Sequence, residues 1–456
     1  MVGFLMVVMM CPMKKAEAKQ IIEVVVDKKV KDIDRELARA LDMARYNTNN
    51  NITYKVIIPK GTYRLKSNLN IYSNTWLVMD GVTLIREFSG CLMRFGRGSE
   101  VSNAKGYSAF RNITIEGGTL DGNGQAKKYS TSLLRFAHSQ NVTVKNVTFT
   151  NMWNGHHMEF SASKDVLIEN CTFKDYRGSR TGNREALQIE INHKKHFGEF
   201  GKFDETPCRD ITVRGCTFKN LHRGLGTHAG IVGSYFNNIV IEDNTFKDID
   251  GYAIVAANWI NSKISNNKIE DAGSGIFYRH MIGGTYYPSK KGGKGKALKN
   301  CRTEISNNKI EVVDKNYERE AIGVFIYGAK YNRTTYGTPK GDYRVYKVRV
   351  RNNQVTMKNN GYGMQLEGAM SSTVSGNTIN MATTKKARGK ASGVGILVFS
   401  GTKNRIENNT IRNTSKHRNR KKFYGIRFDG KQSGTTRKNK ITGFTKEFRL
   451  STRKWR

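Results

Sequence analysis

Proline is nearly absent from this chain: 5 residues in 456. That suits a fold in which almost every backbone N–H is needed by a hydrogen-bond ladder. Cysteine is sparse too. Six are present, and past the apolar start they are Cys91, Cys171, Cys208, Cys216 and Cys301. The odd number and scattered spacing exclude a disulfide framework, and the lack of a C-x-x-C pair offers no zinc motif. No segment after the first dozen residues is apolar for long enough to cross a bilayer as a helix. Acidic residues are few: 38 against 77 lysines and arginines, a formal net charge of +39. No recognition helix or RNA-binding signature accompanies that charge.

What the chain has is a phrase that returns. It reads Asn-Val-Thr-Val-Lys-Asn-Val-Thr-Phe from Asn141 and Asp-Val-Leu-Ile-Glu-Asn-Cys-Thr-Phe from Asp165. It comes back from Asp210 and Asn238, with further copies near Asn112, Ser262, Arg302, Lys347, Ser371 and Asn404. The shortest intervals are roughly 23 to 29 residues, the mark of a solenoid. Apolar and polar residues alternate within each copy, so each is a strand. A second strand follows each phrase, as in His157–Phe160, Ala186–Ile191, Gly230–Gly233, Gly323–Ile326 and Gly395–Val398. Asn170, Asn244, Asn267, Asn308, Asn377 and Asn409 stand just before an inward residue, where a bend that tolerates a left-handed backbone is expected. One coil cannot bury its own apolar side, whereas stacked coils share a continuous core. The expected fold is therefore all-β: a single-stranded parallel β-helix, a solenoid, with repeat coils over 112–445 in one domain spanning 19–456. Stacked Cys171 and Cys216 occupy one slot in neighbouring coils and read as small apolar packing groups.

The two ends differ from the middle. Residues 1–18 combine a short apolar run with Ala16-Glu17-Ala18, an Ala-x-Ala-like site, and read as a secretory signal peptide. A secreted or cell-surface location follows. Residues 31–46 carry Ile33, Leu37, Leu41 and Ala44 on one helical stripe. They are expected to form an N-terminal helix that caps the exposed strand edges of the first coil. Phe444, Phe448, Leu450 and Trp455 are expected to close the other end.

Excess positive charge draws in polyanions and speeds their association. For an exported chain that favours an acidic polysaccharide or another anionic cell-envelope glycan over nucleic acid. Oligomeric state is not legible here.

Three stretches resemble a known superfamily. Val56-Ile57-Ile58-Pro59-Lys60-Gly61-Thr62-Tyr63-Arg64-Leu65, Leu77 to Leu84, and Ile115 to Gly124 are similar to the opening coils of pectin-lyase-like proteins. The pattern is closest to the polygalacturonase branch of glycoside hydrolases. The resemblance implies a right-handed helix and a carbohydrate substrate, but not the reaction, because the fold hosts hydrolases, lyases, epimerases and phage receptor-binding proteins. Polygalacturonases carry Asn-Thr-Asp-Gly, Asp-Asp, Gly-His-Gly and Arg-Ile-Lys on successive coils. Here the first falls on Asn154-Gly155-His156-His157, with His156 in place of the acid. The second falls on Arg184-Glu185, keeping one carboxylate. The third falls near Thr227-His228-Ala229-Gly230, and the fourth on Ala253-Ile254-Val255, where it is missing. The catalytic set of that branch is thus incomplete. An acidic triplet like that of calcium-dependent pectate lyases is also missing, so no metal or other cofactor is expected.

A polar cluster survives where those motifs align. Alternation points Met158, Phe160, Leu187, Ile189 and Ile191 inward, and His157, Glu159, Gln188 and Glu190 outward. Glu159 and Glu190 lie one coil and two residues apart, about 8 Å between backbones. Glu159, Glu185, Glu190 and His228 are the catalytic candidates. His156, His157, Gln188, Arg223, Tyr252, Arg279 and His280 are the substrate-binding ones. Insertions at roughly 192–209, 281–300, 329–345, 383–391 and 415–422 are expected to wall this face. Their Phe197, Phe200, Tyr286, Tyr287, Tyr331, Tyr336 and Tyr343 offer rings for sugars to stack on. The reading that follows is a glycoside hydrolase in which two carboxyl groups act as acid and base on an acidic polysaccharide. Two alternatives stand beside it. One is a lyase using Arg223 or Arg279 against a uronate, with Tyr252, Tyr278 or His228 as base. The other is a glycan-binding protein without catalysis.

Overall fold

The structure is a computed structural model describing residues 19–180, 182, 184–280, 286–290, 299–313, 315, 321–335, 338–382, 393–415, 423–444 and 446–450. The signal-peptide segment, Tyr336 and Trp455 lie outside the described residues, as do most of the insertions at 281–300, 383–391 and 415–422.

Alternating strands stack in parallel, coil on coil. The first strand of the repeated phrase joins a 17-stranded sheet. Gln140–Lys145, Lys164–Glu169, Arg209–Arg214 and Phe236–Glu242 pair side by side, with Val142, Val166, Ile211 and Ile239 in one inward row. The remaining strands of each coil join a 24-stranded sheet. Phe149, Phe173, Phe218 and Phe246 stack down its interior with ring centroids 4.6–4.9 Å apart, which matches the spacing of adjacent strands. The inward set Met158, Phe160, Leu187, Ile189 and Ile191 belongs to one continuous apolar core.

The coils begin well before residue 112. Gln20–Val25 pairs with Ile52–Ile57, which pairs with Thr75–Val78, in the same sheet as the later phrases. These early strands lack the full phrase and so escape a repeat search. The helix runs Ile33–Asp42, shorter than 31–46; Asp32 caps it by accepting from Arg35 N. Its Leu37, Ala40 and Leu41 are buried in the core beside Leu65 and Leu69. At the far end Phe444 packs against the core. The side chains of Phe448 and Leu450 lie outside the described ones.

The asparagine bends differ from expectation in a simple way. Asn170 is itself left-handed, but elsewhere the left-handed residue is the one before the asparagine: Asp243, Asn266, Asn307, Gly376 and Asn408. The asparagine that follows turns inward. Asn244, Asn267, Asn308, Asn353, Asn377, Asn409 and Asn439 form a ladder, each Nδ2 donating to the next Oδ1 at 2.8–3.0 Å wherever adjacent coils carry the pair. Cys171 and Cys216 hold the same slot upstream, and Cys216 N donates to Asn244 Oδ1. All five described cysteines are buried thiols.

Candidate functional site

The site lies on the outer side of the second strands, Met158–Ser161, Glu185–Glu190 and Arg223–Gly226. Register places Glu159 beside Gln188 and Ser161 beside Glu190, and Glu185 beside Arg223. Outward residues here are not open to water. Glu159 is 6% exposed, Glu185 0%, Gln188 0% and Glu190 1%. The cover is the 192–208 insertion. Its Phe197 and Phe200 lie over the Arg135 and Arg94 guanidinium groups at 4.5 and 4.7 Å. Both rings are buried, so they anchor the loop and present no face to a sugar. Tyr343 is buried likewise, whereas Tyr287 and Tyr331 are half-buried.

Buried charge persists only when paired, and each carboxylate here has a cation. Glu159 Oε2 meets Arg135 Nε at 2.8 Å and accepts from Ser132 Oγ at 2.8 Å. Glu185 Oε2 lies 2.9 Å from His228 Nδ1, and its Oε1 is 3.5 Å from Arg223. Burial alone would raise the Glu185 pKa; His228 and Arg223 outweigh it and hold this carboxyl far below the ordinary range. Glu190 is also lowered: burial opposes this, but His196, His228 and the Ile191 N–H prevail. Its Oε2 accepts from Gln188 Nε2 at 3.1 Å. For His228, burial works against charge while Glu185 and Glu190 work for it, and the net shift is upward.

Imidazoles gather at this point. His156 and His228 face each other with ring centroids 6.0 Å apart, and His196 meets His228 edge-on at 5.7 Å. His156 Nδ1 is 2.5 Å from the Glu185 carbonyl oxygen, so that nitrogen donates. His196 Nε2 contacts Tyr287 Oη at 2.7 Å, and its Nδ1 is 3.6 Å from Glu190 Oε2. His228 Nε2 is 3.8 Å from the same oxygen.

The structure thus brings together Glu185, Glu190, His156, Gln188, Arg223 and His228, with Glu159 in the adjoining row. Other candidates fall away from the centre. His157 does not point outward: its Nε2 donates to the Lys174 carbonyl at 2.8 Å, and burial pushes its pKa down to about 4. The peptide turns at Asn154, which is left-handed, and the strand starts only at Met158, so alternation does not extend back to His157. His280 is buried as well, lowered to about 4 by desolvation, with Nε2 3.7 Å from Cys301 Sγ. Tyr252 is buried and stacks on Phe277 at 5.0 Å. Arg279 lies over the same ring at 4.9 Å. Tyr278 points inward and donates to the Trp259 carbonyl. Missed by the sequence reading are Ser132, Arg135 and His196. The run His193 to His196 inside an insertion was the available signal.

A family model described as "Right handed beta helix region" matches residues 110–281. The surface protein and adhesin PfbA of Streptococcus pneumoniae superposes with a TM-score of 0.66 at 20% identity, covering 90% of this chain and all of that one. This chain folds as a right-handed parallel β-helix. The A-module of the Azotobacter vinelandii mannuronan C-5 epimerase AlgE4 shares the β-helix fold at TM-score 0.54 and 15% identity, over 94% of this chain and 96% of that one. A tailspike protein of E. coli bacteriophage HK620, in complex with a pentasaccharide, does so at 0.53 and 14%, over 92% and 76%. In sequence, the β-helix chain is 24% identical over 257 residues to the plasmin and fibronectin-binding protein A of S. pneumoniae. That match takes in 49% of this chain and 36% of the curated relative's length. Among the described residues no helix is long and apolar enough to cross a membrane.

Proposed function

We propose that this β-helix acts on an acidic polysaccharide at the narrow opening where the edges of His156 and His228 reach solvent beside Glu159 and Glu190, and breaks it by β-elimination. One observation carries the reading: every carboxylate of the site is committed to a cation. Hydrolysis by two carboxyl groups needs one of them kept protonated to serve the leaving oxygen. Glu185 and Glu190 are instead held ionised, and Glu159 is locked to Arg135. Elimination makes a different demand. A base removes the proton beside a uronate carboxyl, a nearby cation lowers the cost of the carbanion that develops, and the glycosidic C–O bond on the next carbon then breaks as the C=C bond forms, its oxygen taking a proton from water. His156, held through Nδ1 by the Glu185 carbonyl, presents Nε2 as the base. Positive charge at His228 supplies the neutralising partner. The +39 net charge favours a polyanionic substrate. Likeness in fold to an epimerase that acts on mannuronan is consistent with proton abstraction beside a carboxylate.

A second reading is surface binding without turnover. It is favoured by the likeness to proteins named as a surface adhesin and as a plasmin and fibronectin-binding protein. Export through residues 1–18 fits either.

The test is an incubation of residues 19–456 with neutral, uronic and sulfated polysaccharides, following reducing ends and unsaturated-uronate absorbance. Both rise together if elimination occurs. Reducing ends alone overturn elimination in favour of hydrolysis. Binding with neither signal leaves the surface-binding reading.

A further inference from the structure

We propose that Glu190, His196 and His228 bind one divalent transition-metal ion of the zinc class. This goes beyond the polysaccharide reading and stands without it. Glu190 Oε2, His196 Nδ1 and His228 Nε2 all lie within 4.8 Å of one another. The carboxylate oxygen is 3.6 Å from one imidazole nitrogen and 3.8 Å from the other. Those separations are too long for hydrogen bonds. They suit ligands sharing an ion: with each at about 2.0–2.2 Å in a tetrahedral array, neighbouring ligand atoms stand about 3.3–3.6 Å apart. The two carboxylate–imidazole edges are within a few tenths of an ångström of that spacing, and the imidazole–imidazole edge, within 4.8 Å, closes as the ion binds.

The outer contacts are the stronger argument. A ligating imidazole needs its other nitrogen held by an oxygen, which fixes the tautomer and leaves the ligand nitrogen bare. Both rings meet that requirement. His228 Nδ1 lies 2.9 Å from the Glu185 carboxylate. His196 Nε2 lies 2.7 Å from Tyr287 Oη. Gln188 Nε2 steadies the carboxylate oxygen at 3.1 Å, and the Ile191 N–H holds its partner oxygen at 2.7 Å. Gln188 Oε1, buried beside them, has no hydrogen-bond partner. Three elements contribute: Glu190 ends its strand, His228 follows the next one by two residues, and His196 comes from the insertion between. Ligands 6 and 32 residues apart in the chain (190 to 196, and 196 to 228) match no sequence motif, which is why the cluster is invisible until the coil closes.

Donor chemistry selects the ion. Two imidazoles and one carboxylate suit zinc, cobalt or nickel, whereas calcium and magnesium demand oxygen shells. Three protein ligands leave a position for water or a substrate oxygen. An ion there would take over from a proton on His228 the positive charge at that point.

The experiment is direct. Chelator-treated protein is titrated with Zn²⁺ and with Co²⁺ by calorimetry, with Ca²⁺ and Mg²⁺ as comparisons, and metal content is measured after dialysis. One Zn²⁺ or Co²⁺ per chain is expected, with visible Co²⁺ bands of low coordination number. His196→Ala lies on a half-buried loop residue and is expected to weaken Zn²⁺ about 100-fold or more, and Tyr287→Phe about 10-fold. His193→Ala is the control. Its ring stacks on Tyr287 at 4.1 Å but faces no carboxylate of the cluster, and it is expected to bind as the parent does. Melting curves of the metal-free proteins check that each variant is folded. No saturable Zn²⁺ binding by the parent overturns the proposal. So does undiminished binding by folded His196→Ala, or a preference for Ca²⁺.

Discussion

The same outward row of one sheet carries charge in its first coils, turns mostly apolar in later ones and returns to charge at Arg427. Register runs it through Arg135, Glu159 and Gln188, and further on through Phe277, Phe325, Gln365 and Leu397. The row beside it begins with Glu185 and Arg223 and continues as Ile322, Tyr362, Val394 and Tyr424. Those later residues form a second apolar cluster, separate from the core, with Phe325 packed against it. The backbone is the same in both halves, so backbone geometry does not choose between them. Only the side chain in each slot does, and a β-helix leaves that choice free on its outer side. The two halves are stabilised differently. The apolar half gains from burial alone. The polar half holds together only while every charge keeps its partner.

The largest way to break the comparison is to remove one partner. Glu185→Ala takes the 2.9 Å carboxylate partner from His228 in a dry site, and a loss of about 3–5 kcal/mol is expected. Urea unfolding of the variant against the parent measures it; an unchanged midpoint would mean the pairs carry no weight. Acid is the next. Every histidine but His417 falls between His138 and His280, so falling pH strikes the polar half. His157 is the clearest case. Its folded pKa is near 4, below the ordinary 6.5, so on acidification the unfolded chain takes up the proton first. Stability therefore declines from about pH 6.5 and stops declining below about pH 4, by roughly 3 kcal/mol. The groups around it are His156, Asp175 and Arg86. His280, also near 4, adds a similar share. His157→Gln keeps a donor for the Lys174 carbonyl and is expected to halve the slope across that window.

How much of this was legible beforehand follows from the physics of the coil. Period-two alternation and the returning Thr-Phe phrase disclosed the solenoid, because stacked coils force like residues into like slots. Glu190 was picked out by the alternation of its strand, and Glu185 and His228 by the motifs that align there. His196 was not, since an insertion obeys no register. Nor was the pairing of Glu159 with Arg135, which needs the coil before it. His157 was misjudged because alternation was carried one residue past the start of the strand.

A smaller test belongs to the apolar half. Leu397→Ala removes a buried side chain from the outer cluster and is expected to cost about 2–3 kcal/mol, with no effect on the slope between pH 6.5 and 4. A change in that slope would show that the halves are coupled. Both halves share the inner bend slot, and there they differ again: thiols at Cys171 and Cys216, amides from Asn244 onward. The Cys216 thiol imitates an amide poorly, reaching the Ile168 carbonyl at 3.6 Å where Asn267 Nδ2 reaches the Ile241 carbonyl at 2.9 Å. Cys216→Asn would place an Nδ2 where Asn244 Oδ1 can accept it, and an Oδ1 where the Cys171 N–H now meets sulfur at 3.4 Å. The left-handed residue the slot requires is already in place as Gly215. Two weak sulfur contacts become amide hydrogen bonds, so a gain of about 1 kcal/mol is expected in the urea midpoint. A loss instead would mean that Val147 and Cys171 leave the upstream slot too narrow for an amide, and that the ladder begins at Asn244 for want of room.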